Sequence, residues 1–177
     1  ASSAVVLSKK RRGLMASVAV TGLVVAVVFE SGIGRDRIQV TWYGDMQYKI
    51  LGYAESPEST ISVVEANDRR DLVIDGFVTT GDQAEMTHYM KWMGHLPMIL
   101  HPHPKDTLVI CYGTGQTANA LFQEGAERVD VVDLNAEVLE MAPFFEISQN
   151  VLEKENVHPH VMDGRAWLRR SPQTYDV

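Results

Sequence analysis

Residues 107–115, TLVICYGTG, decide the fold of this chain. The first five form a continuous apolar run, which is typical of a short parallel strand buried on both faces. Gly113 and Gly115 then form a bend ahead of the helix-compatible sequence TANALFQEG at 117–125. Glycines at such a bend let main-chain amides approach a ligand at the positive N-terminus of a helix. A Gly-x-Gly bend is common in loops, so its interpretation depends on the strands that follow.

Two further strands are predicted downstream, each ending in a carboxylate. RVDVVD (128–133) ends at Asp133, and HPHVM (158–162) is followed by Asp163 and Gly164. A carboxylate at a strand end can accept both hydroxyl protons of a ribose, and a carboxylate beside a backbone amide can bind an adenine edge. Open α/β sheets bind ligands at the carboxyl ends of their strands, so these features predict a nucleoside site. The alternative is that both aspartates cap helices and the glycines only turn the chain.

The absence of a third glycine refines the ligand class. A dinucleotide fingerprint would place it near Thr117 or Asn119, and neither residue is glycine. A site without that glycine favours a nucleoside ligand that lacks a pyrophosphate, such as S-adenosylmethionine.

The alternation of strand and helix predicts a doubly wound α/β sheet, with helices at 83–95 and from Ala136 to about Glu155. Upstream, short β-rich runs between residues 38 and 75 predict an antiparallel hairpin or meander. We therefore expect three parts, which are a basic N-terminus with a hydrophobic helix at 1–35, a small β domain at 36–80 and a Rossmann-like domain at 81–177.

The N-terminal part differs in charge from the rest. The 177 residues carry a formal charge of −7, yet residues 1–29 contain the basic cluster KKRR (9–12) and no acid. Residues 30–177 therefore carry a formal charge of −11, and so acidic a segment argues against binding of nucleic acid. Residues 13–29 contain no charge and predict a transmembrane helix. A secretory signal and a buried helix of a soluble core remain alternatives. A membrane location follows if the helix spans, either as a single span or as the last span of a longer protein.

Metal and disulfide chemistry receive little support. Cys111 is the only cysteine, so no internal disulfide can form. The pairs His101 with His103 and His158 with His160 lack a carboxylate or thiol at a spacing that would complete a site, and we predict no metal.

From about residue 53 to residue 177 the chain resembles the spermidine synthase family, in particular its membrane-fused bacterial branch. Five segments carry the resemblance, namely ESPESTISVVE (55–65), LVIDGFVTTGDQAEMTHYM (72–90), GHLPMILHPHPKDTLVICYGTG (94–115), RVDVVDLNAEVLEMA (128–142) and MDGRAWLRRSPQTYDV (162–177). The resemblance implies a small β domain before a methyltransferase-type Rossmann fold. It also implies an S-adenosylmethionine or decarboxylated S-adenosylmethionine cofactor.

The resemblance implies roles for individual residues. Asp133 would bind the ribose of the cofactor, and Asp163 with Gly164 its adenine. Leu134, next to Asp133, is also assigned to the cofactor site. Gly113, Thr114 and Gly115 would line the glycine loop, and Tyr89 would face the substrate.

Several positions depart from the family pattern. The loop usually carries an aspartate where this chain has Thr114, and a Gln is usual at Thr79. Ser56-Pro57-Glu58-Ser59 stands where the family has Ser-x-Tyr-Gln, and Met90 and Lys91 replace a polar residue and a glutamate. A dicationic amine needs carboxylates around it, because burial of unpaired ammonium groups is costly.

The catalytic carboxylate implied by the resemblance would lie a few residues past the strand that begins at Tyr175, beyond Val177. No catalytic residue is therefore assigned. A three-stranded sheet with an open apolar edge is unfavourable, so we expect further sequence to complete it. Two functions are open: a membrane-attached transferase of aminopropyl or methyl groups, and an inactive structural subunit of a larger membrane complex, with a homodimer also possible.

Overall fold

A computed structural model describes residues 47–177, which form a four-stranded antiparallel sheet followed by a three-stranded parallel sheet with helices. The predicted transmembrane helix at 13–29 and the first β-rich run at 38–43 lie outside the described residues. Within residues 47–177, no helix combines the length and apolar character needed to cross a membrane.

The antiparallel sheet is a meander in chain order. Its strands are β1 (Lys49–Glu55), β2 (Thr60–Ala66), β3 (Arg69–Ile74) and β4 (Phe77–Gly81). Asn67 and Asp68 join β2 to β3 with φ of 52° and 59°, and Asp75 and Gly76 join β3 to β4 with φ of 51° and 81°. Two-residue turns with positive φ match the twist of antiparallel strands. The sequence predicted the first three strands, and β4 is an addition.

The parallel sheet confirms the predicted strand and helix alternation, in the order β5-β6-β7. Its elements in chain order are α1 (Ala84–Leu100), β5 (Asp106–Ile110), α2 (Gln116–Gln123), β6 (Arg128–Asp133), α3 (Ala136–Glu140), β7 (Val157–Val161) and α4 (Gly164–Arg170). The core follows the central strand, where Val129, Val131 and Val132 are fully buried. The fold is thus α/β and Rossmann-like, with a small antiparallel sheet before it.

Helix α1 packs closely on α2 through Gly94. A Cβ atom at Gly94 would lie 2.7 Å from the Cβ of Ala120, so only glycine permits this approach. The predicted helix at 83–95 is too short, because α1 continues through Pro97 to Leu100. Proline removes one N–H from the last turn, and His101 N–H still closes that turn on the Pro97 carbonyl at 2.9 Å.

The predicted helix from Ala136 to Glu155 is wrong beyond its first turn. Only α3 is α-helical, and three short 3₁₀ turns follow it. Pro143 lacks an N–H, and Gln149 and Asn150 adopt a left-handed φ of 52°, which no right-handed helix accommodates.

The final residues lie along the free edge of β5. Asp176 N–H donates to the Asp106 carbonyl at 2.7 Å, and Leu108 N–H donates to Val177 at 2.8 Å. The Asp176 carboxylate also accepts from the N–H groups of Lys105 and Asp106, which hold the pKa of that carboxyl below its usual range. The backbone bonds agree with the strand predicted to begin at Tyr175.

Candidate functional site

The loop between β5 and α2 turns sharply at the carboxyl end of the sheet. Three of its residues have positive φ, namely Cys111 at 73°, Gly113 at 59° and Gly115 at 77°. Cys111 N–H donates to the Val132 carbonyl at 2.8 Å, which ties the start of the loop to β6. The second glycine precedes the first residue of α2, as the sequence predicted. The loop therefore presents its backbone at the N-terminus of a helix.

Gly115 is required by packing as well as by φ. A Cβ atom there would lie 2.3 Å from the hydroxyl oxygen of Tyr112 and 2.9 Å from the Cβ of Ser148. Burial raises the pKa of Tyr112 to about 12, an effect that the nearby Ser148 hydroxyl partly offsets. The loop thus rests on a buried, neutral tyrosine.

Asp133 is the buried carboxylate of the site. It ends β6 and is 6% exposed, and one oxygen, Oδ2, accepts from Tyr112 N–H at 2.8 Å. The other oxygen accepts from Asn135 N–H at 3.0 Å. The first bond links the end of β6 directly to the glycine loop. Leu134, the next residue, is 53% exposed at the same edge.

Asp163 and Gly164 lie at the end of β7, next to β6. Met162 N–H donates to the Asp133 carbonyl at 2.9 Å, which joins the two strand ends. A Cβ atom at Gly164 would lie 2.5 Å from Cγ2 of Ile110, so this glycine packs closely against the end of β5. The structure therefore brings all three predicted strand ends together.

The alternative that the aspartates cap helices is correct for one oxygen of Asp163. This residue is the N-cap of α4, and its Oδ1 accepts from Ala166 N–H at 2.9 Å. Among residues 47–177, its Oδ2 has no hydrogen-bond partner. An ionised carboxylate offers about four lone-pair sites. Asp163 therefore keeps lone pairs that can accept hydrogen bonds from a ligand. The same holds for Asp133, which accepts two.

Gln116 is a site residue that the sequence analysis missed. It is 1% exposed and donates through Nε2 to the Gly81 carbonyl at 2.9 Å and to Thr114 Oγ1 at 2.8 Å. Thr114 is itself 2% exposed, so its hydroxyl is engaged inside the protein. This cluster fixes the glycine loop to the end of β4. The signal in the sequence was a glutamine at the start of a helix otherwise rich in small and apolar residues.

Tyr89 lies on α1 and is 63% exposed. Its neighbour Met90 accepts a hydrogen bond at its carbonyl from Thr117 Oγ1 at 2.9 Å, which places this part of α1 against the first turn of α2. Burial, and next the charge of Asp133, raise the pKa of the Cys111 thiol. In the part of the chain that the structure describes, no group of three or more His, Cys, Asp or Glu residues could hold a metal ion.

Comparison with known proteins gives consistent results. A family model described as the spermine/spermidine synthase domain matches residues 86–177, just over half of the chain. The polyamine aminopropyltransferase of Nitrosomonas europaea is 32% identical over 132 residues, which cover 72% of this chain and 40% of that protein. Polyamine aminopropyltransferase 1 of Aquifex aeolicus is 33% identical over 96 residues, or 53% of this chain and 34% of the relative.

Solved structures show the same fold. Spermidine synthase from Thermotoga maritima superposes with a TM-score of 0.67 at 22% identity, covering 73% of this chain and 46% of that one. A spermidine synthase in complex with the transition-state analogue AdoDATO gives the same TM-score and identity and is covered to 45%. The chain thus spans less than half the length of these curated relatives and solved structures.

Proposed function

The chain belongs to the spermine/spermidine synthase family, and we propose that it binds the adenosine part of decarboxylated S-adenosylmethionine for aminopropyl transfer. The observation that carries this proposal is the meeting of three strand ends, where Asp133 accepts from Tyr112 in the glycine loop at 2.8 Å and Gly164 packs on Ile110. The relatives named as polyamine aminopropyltransferases support the choice of reaction.

Asp133 is assigned to the ribose. Its two oxygens already accept one N–H each, so its orientation is fixed before a ligand arrives. The remaining lone pairs can accept the two ribose hydroxyls. A preset carboxylate loses little side-chain entropy on binding, which favours affinity.

Asp163 and Gly164 are assigned to the adenine. The Oδ2 atom of Asp163 can accept a hydrogen from the 6-amino group, while Oδ1 keeps its bond to Ala166 N–H. The first turn of α4 supplies main-chain N–H groups to the ring nitrogens.

The glycine loop is assigned to the sulfonium end. In the transfer, an acceptor amine forms a C–N bond to the propyl carbon as the C–S bond breaks, 5′-methylthioadenosine leaves and the amine loses a proton. Gly113 and Gly115 let the loop backbone hold the donor in line with the amine, and positioning of this kind accounts for much of the rate in bimolecular transfers. No described residue is assigned as the base that takes the proton.

Calorimetric titration with 5′-methylthioadenosine and decarboxylated S-adenosylmethionine tests the proposal. We expect saturable binding of both, and weaker binding after Asp133→Asn. Glu155→Gln, on an exposed segment, is the control for loss of a negative charge. No binding heat and no thermal shift with either ligand would contradict the proposal.

A second candidate is an accessory subunit of a membrane complex, attached through residues 13–29. Thr114 favours it, because a buried hydroxyl stands where the family has an aspartate and already accepts from Gln116. Binding of 5′-methylthioadenosine without its release from decarboxylated S-adenosylmethionine and putrescine would support this candidate. Turnover would reject it. Partition of the full chain into membranes, lost when 13–29 is deleted, tests the attachment.

A further inference from the structure

Helix α4 carries the proposed adenine residues at its start, yet it has no fully buried side chain. A helix in a packed domain is normally fixed by an apolar stripe against the core. Leu168, the one leucine of α4, is 54% exposed. Some other contact must therefore set the position of α4 on the sheet.

A buried carboxylate in the middle of β6 supplies that contact. The Asp130 side chain is 0% exposed and receives four hydrogen bonds, two on each oxygen. Arg128 donates from Nε at 2.8 Å and from Nη2 at 2.9 Å. His160 Nε2 lies 2.8 Å from Oδ1, and Tyr175 OH donates to Oδ2 at 2.9 Å. The lone pairs of the carboxylate are thus fully used.

The donors keep this carboxylate ionised. Burial opposes ionisation, but the bonds from Arg128, His160 and Tyr175 outweigh it and hold the pKa of Asp130 below its usual range. An ionised carboxylate only accepts hydrogen bonds, so His160 carries a proton on Nε2. Tyr175 has one hydroxyl hydrogen and gives it to Asp130, so its oxygen remains an acceptor.

That acceptor extends the network to α4. Trp167 Nε1–H donates to Tyr175 OH at 2.8 Å. The ring of Trp167 also lies over the ring of His160, with centroids 4.0 Å apart and planes 30° from parallel. One side chain of α4 is therefore held by a directional bond and by an aromatic contact, both of which lead back to Asp130.

We propose that Asp130, Tyr175 and Trp167 are positioning residues for adenine recognition, because they fix α4 and with it Asp163 and Gly164. This inference rests on the proposed function of the β7 end. Trp167 lies one helical turn from Asp163 and donates its backbone N–H to the Asp163 carbonyl at 2.9 Å. Loss of the bond to Tyr175 and of the contact with His160 would free the first turn of α4 to shift relative to the ends of β5 and β6.

The test compares two ligands that differ only at the base, 5′-methylthioadenosine and 5′-methylthioinosine, in the full chain. The inosine compound has a carbonyl in place of the 6-amino donor and an N–H in place of the N1 acceptor, so the ratio of their Kd values reports recognition of this adenine edge by Asp163 and the first turn of α4. We expect wild type to prefer adenine by about tenfold, the scale of one hydrogen bond to a charged group. Tyr175→Phe removes only the bridging hydroxyl and should lower this ratio by about threefold or more.

Thr107→Val is the matched control, because it removes a buried hydroxyl that donates to the Arg128 carbonyl at 2.9 Å, at the opposite end of the same sheet. It should leave the ratio unchanged. If Tyr175→Phe does not fold, Trp167→Phe removes the same bond from the other side and keeps a ring over His160.

Four results separate the hypotheses. An unchanged ratio in the Phe variant overturns the positioning role, and so does an equal fall in Thr107→Val, which would indicate general destabilisation. If wild type binds neither ligand, the proposed function itself fails. If wild type binds and discriminates, that function stands whatever the variants show.

Discussion

The ends of β6 and β7 carry the same side chain in opposite environments. Asp133 is 6% exposed and both its oxygens accept main-chain N–H groups. Asp163 is exposed and uses one oxygen to cap a helix. The first is part of the core, and the second stands on a helix held mainly by polar contacts. Substitutions near β6 should therefore change both stability and ligand affinity, while substitutions at β7 should change affinity alone.

The largest effect is expected from Gly115→Ala, in the glycine loop that Asp133 joins to the end of β6. The new Cβ would overlap the Tyr112 hydroxyl at 2.3 Å at a φ of 77°. We expect a loss of about 3 kcal/mol or more in the free energy of unfolding, from combined overpacking and backbone strain. Urea denaturation measures it.

Gly125→Ala is the control for that substitution. It shares a positive φ of 89° but has nothing within 4 Å of the new Cβ. It should cost only about 1 kcal/mol, from the left-handed backbone alone. Equal losses in the two variants would show that packing on Tyr112 contributes nothing.

Alkaline pH should also destabilise the region around the end of β6, through ionisation of Tyr112. The folded pKa of Tyr112 is raised to about 12, whereas an unfolded tyrosine titrates near 10. The stabilisation is therefore complete below pH 10 and is lost as the pH rises from 10 to 12, by about 2 kcal/mol. Tyr112→Phe should remove this step from a plot of unfolding free energy against pH. A step that persists in the variant would assign it to another group.

Asp133→Asn comes next and should act on both quantities. An amide has one acceptor oxygen, so one of the N–H groups of Tyr112 and Asn135 would face a donor. We expect a loss of about 1–3 kcal/mol in stability, and a similar loss in 5′-methylthioadenosine binding. Thermal unfolding and calorimetry measure the two. A variant of wild-type stability with weak binding would show that Asp133, like Asp163, contributes to affinity and not to stability.

Asp163→Asn should have the smallest effect and should separate the two ends. Asparagine caps helices as well as aspartate does, so stability should stay within about 0.5 kcal/mol of wild type. Affinity for 5′-methylthioadenosine should fall by about tenfold, because the single amide oxygen keeps the bond to Ala166 N–H and the 6-amino group then faces the amide NH2, a second donor. A large drop in melting temperature would show that α4 depends on that charge.

The arrangement of the strand ends was predictable because local patterns determine it. Apolar runs punctuated by glycine and aspartate fix where each parallel strand stops, and the parallel register then brings Asp133 and Asp163 to one edge. No residue far along the chain was needed for that step.

The remaining features depend on tertiary contacts. RVDVVD places Asp130 in a buried strand, but its partners His160 and Tyr175 lie 30 and 45 residues away. The bond from Gln116 to Gly81 spans 35 residues. The left-handed Gln149 and Asn150, which break the predicted long helix, are equally invisible to periodicity.

The two tight turns at Asn67-Asp68 and Asp75-Gly76 have a consequence for the order of folding. Each closes a hairpin over two residues, so pairing within β2, β3 and β4 costs little loop-closure entropy. The β5–β6 pairing must wait for a crossover of 17 residues between Ile110 and Arg128. We expect the meander to form early. The Gly81 carbonyl at the end of β4 would then accept the hydrogen bond from Gln116 once α2 has packed.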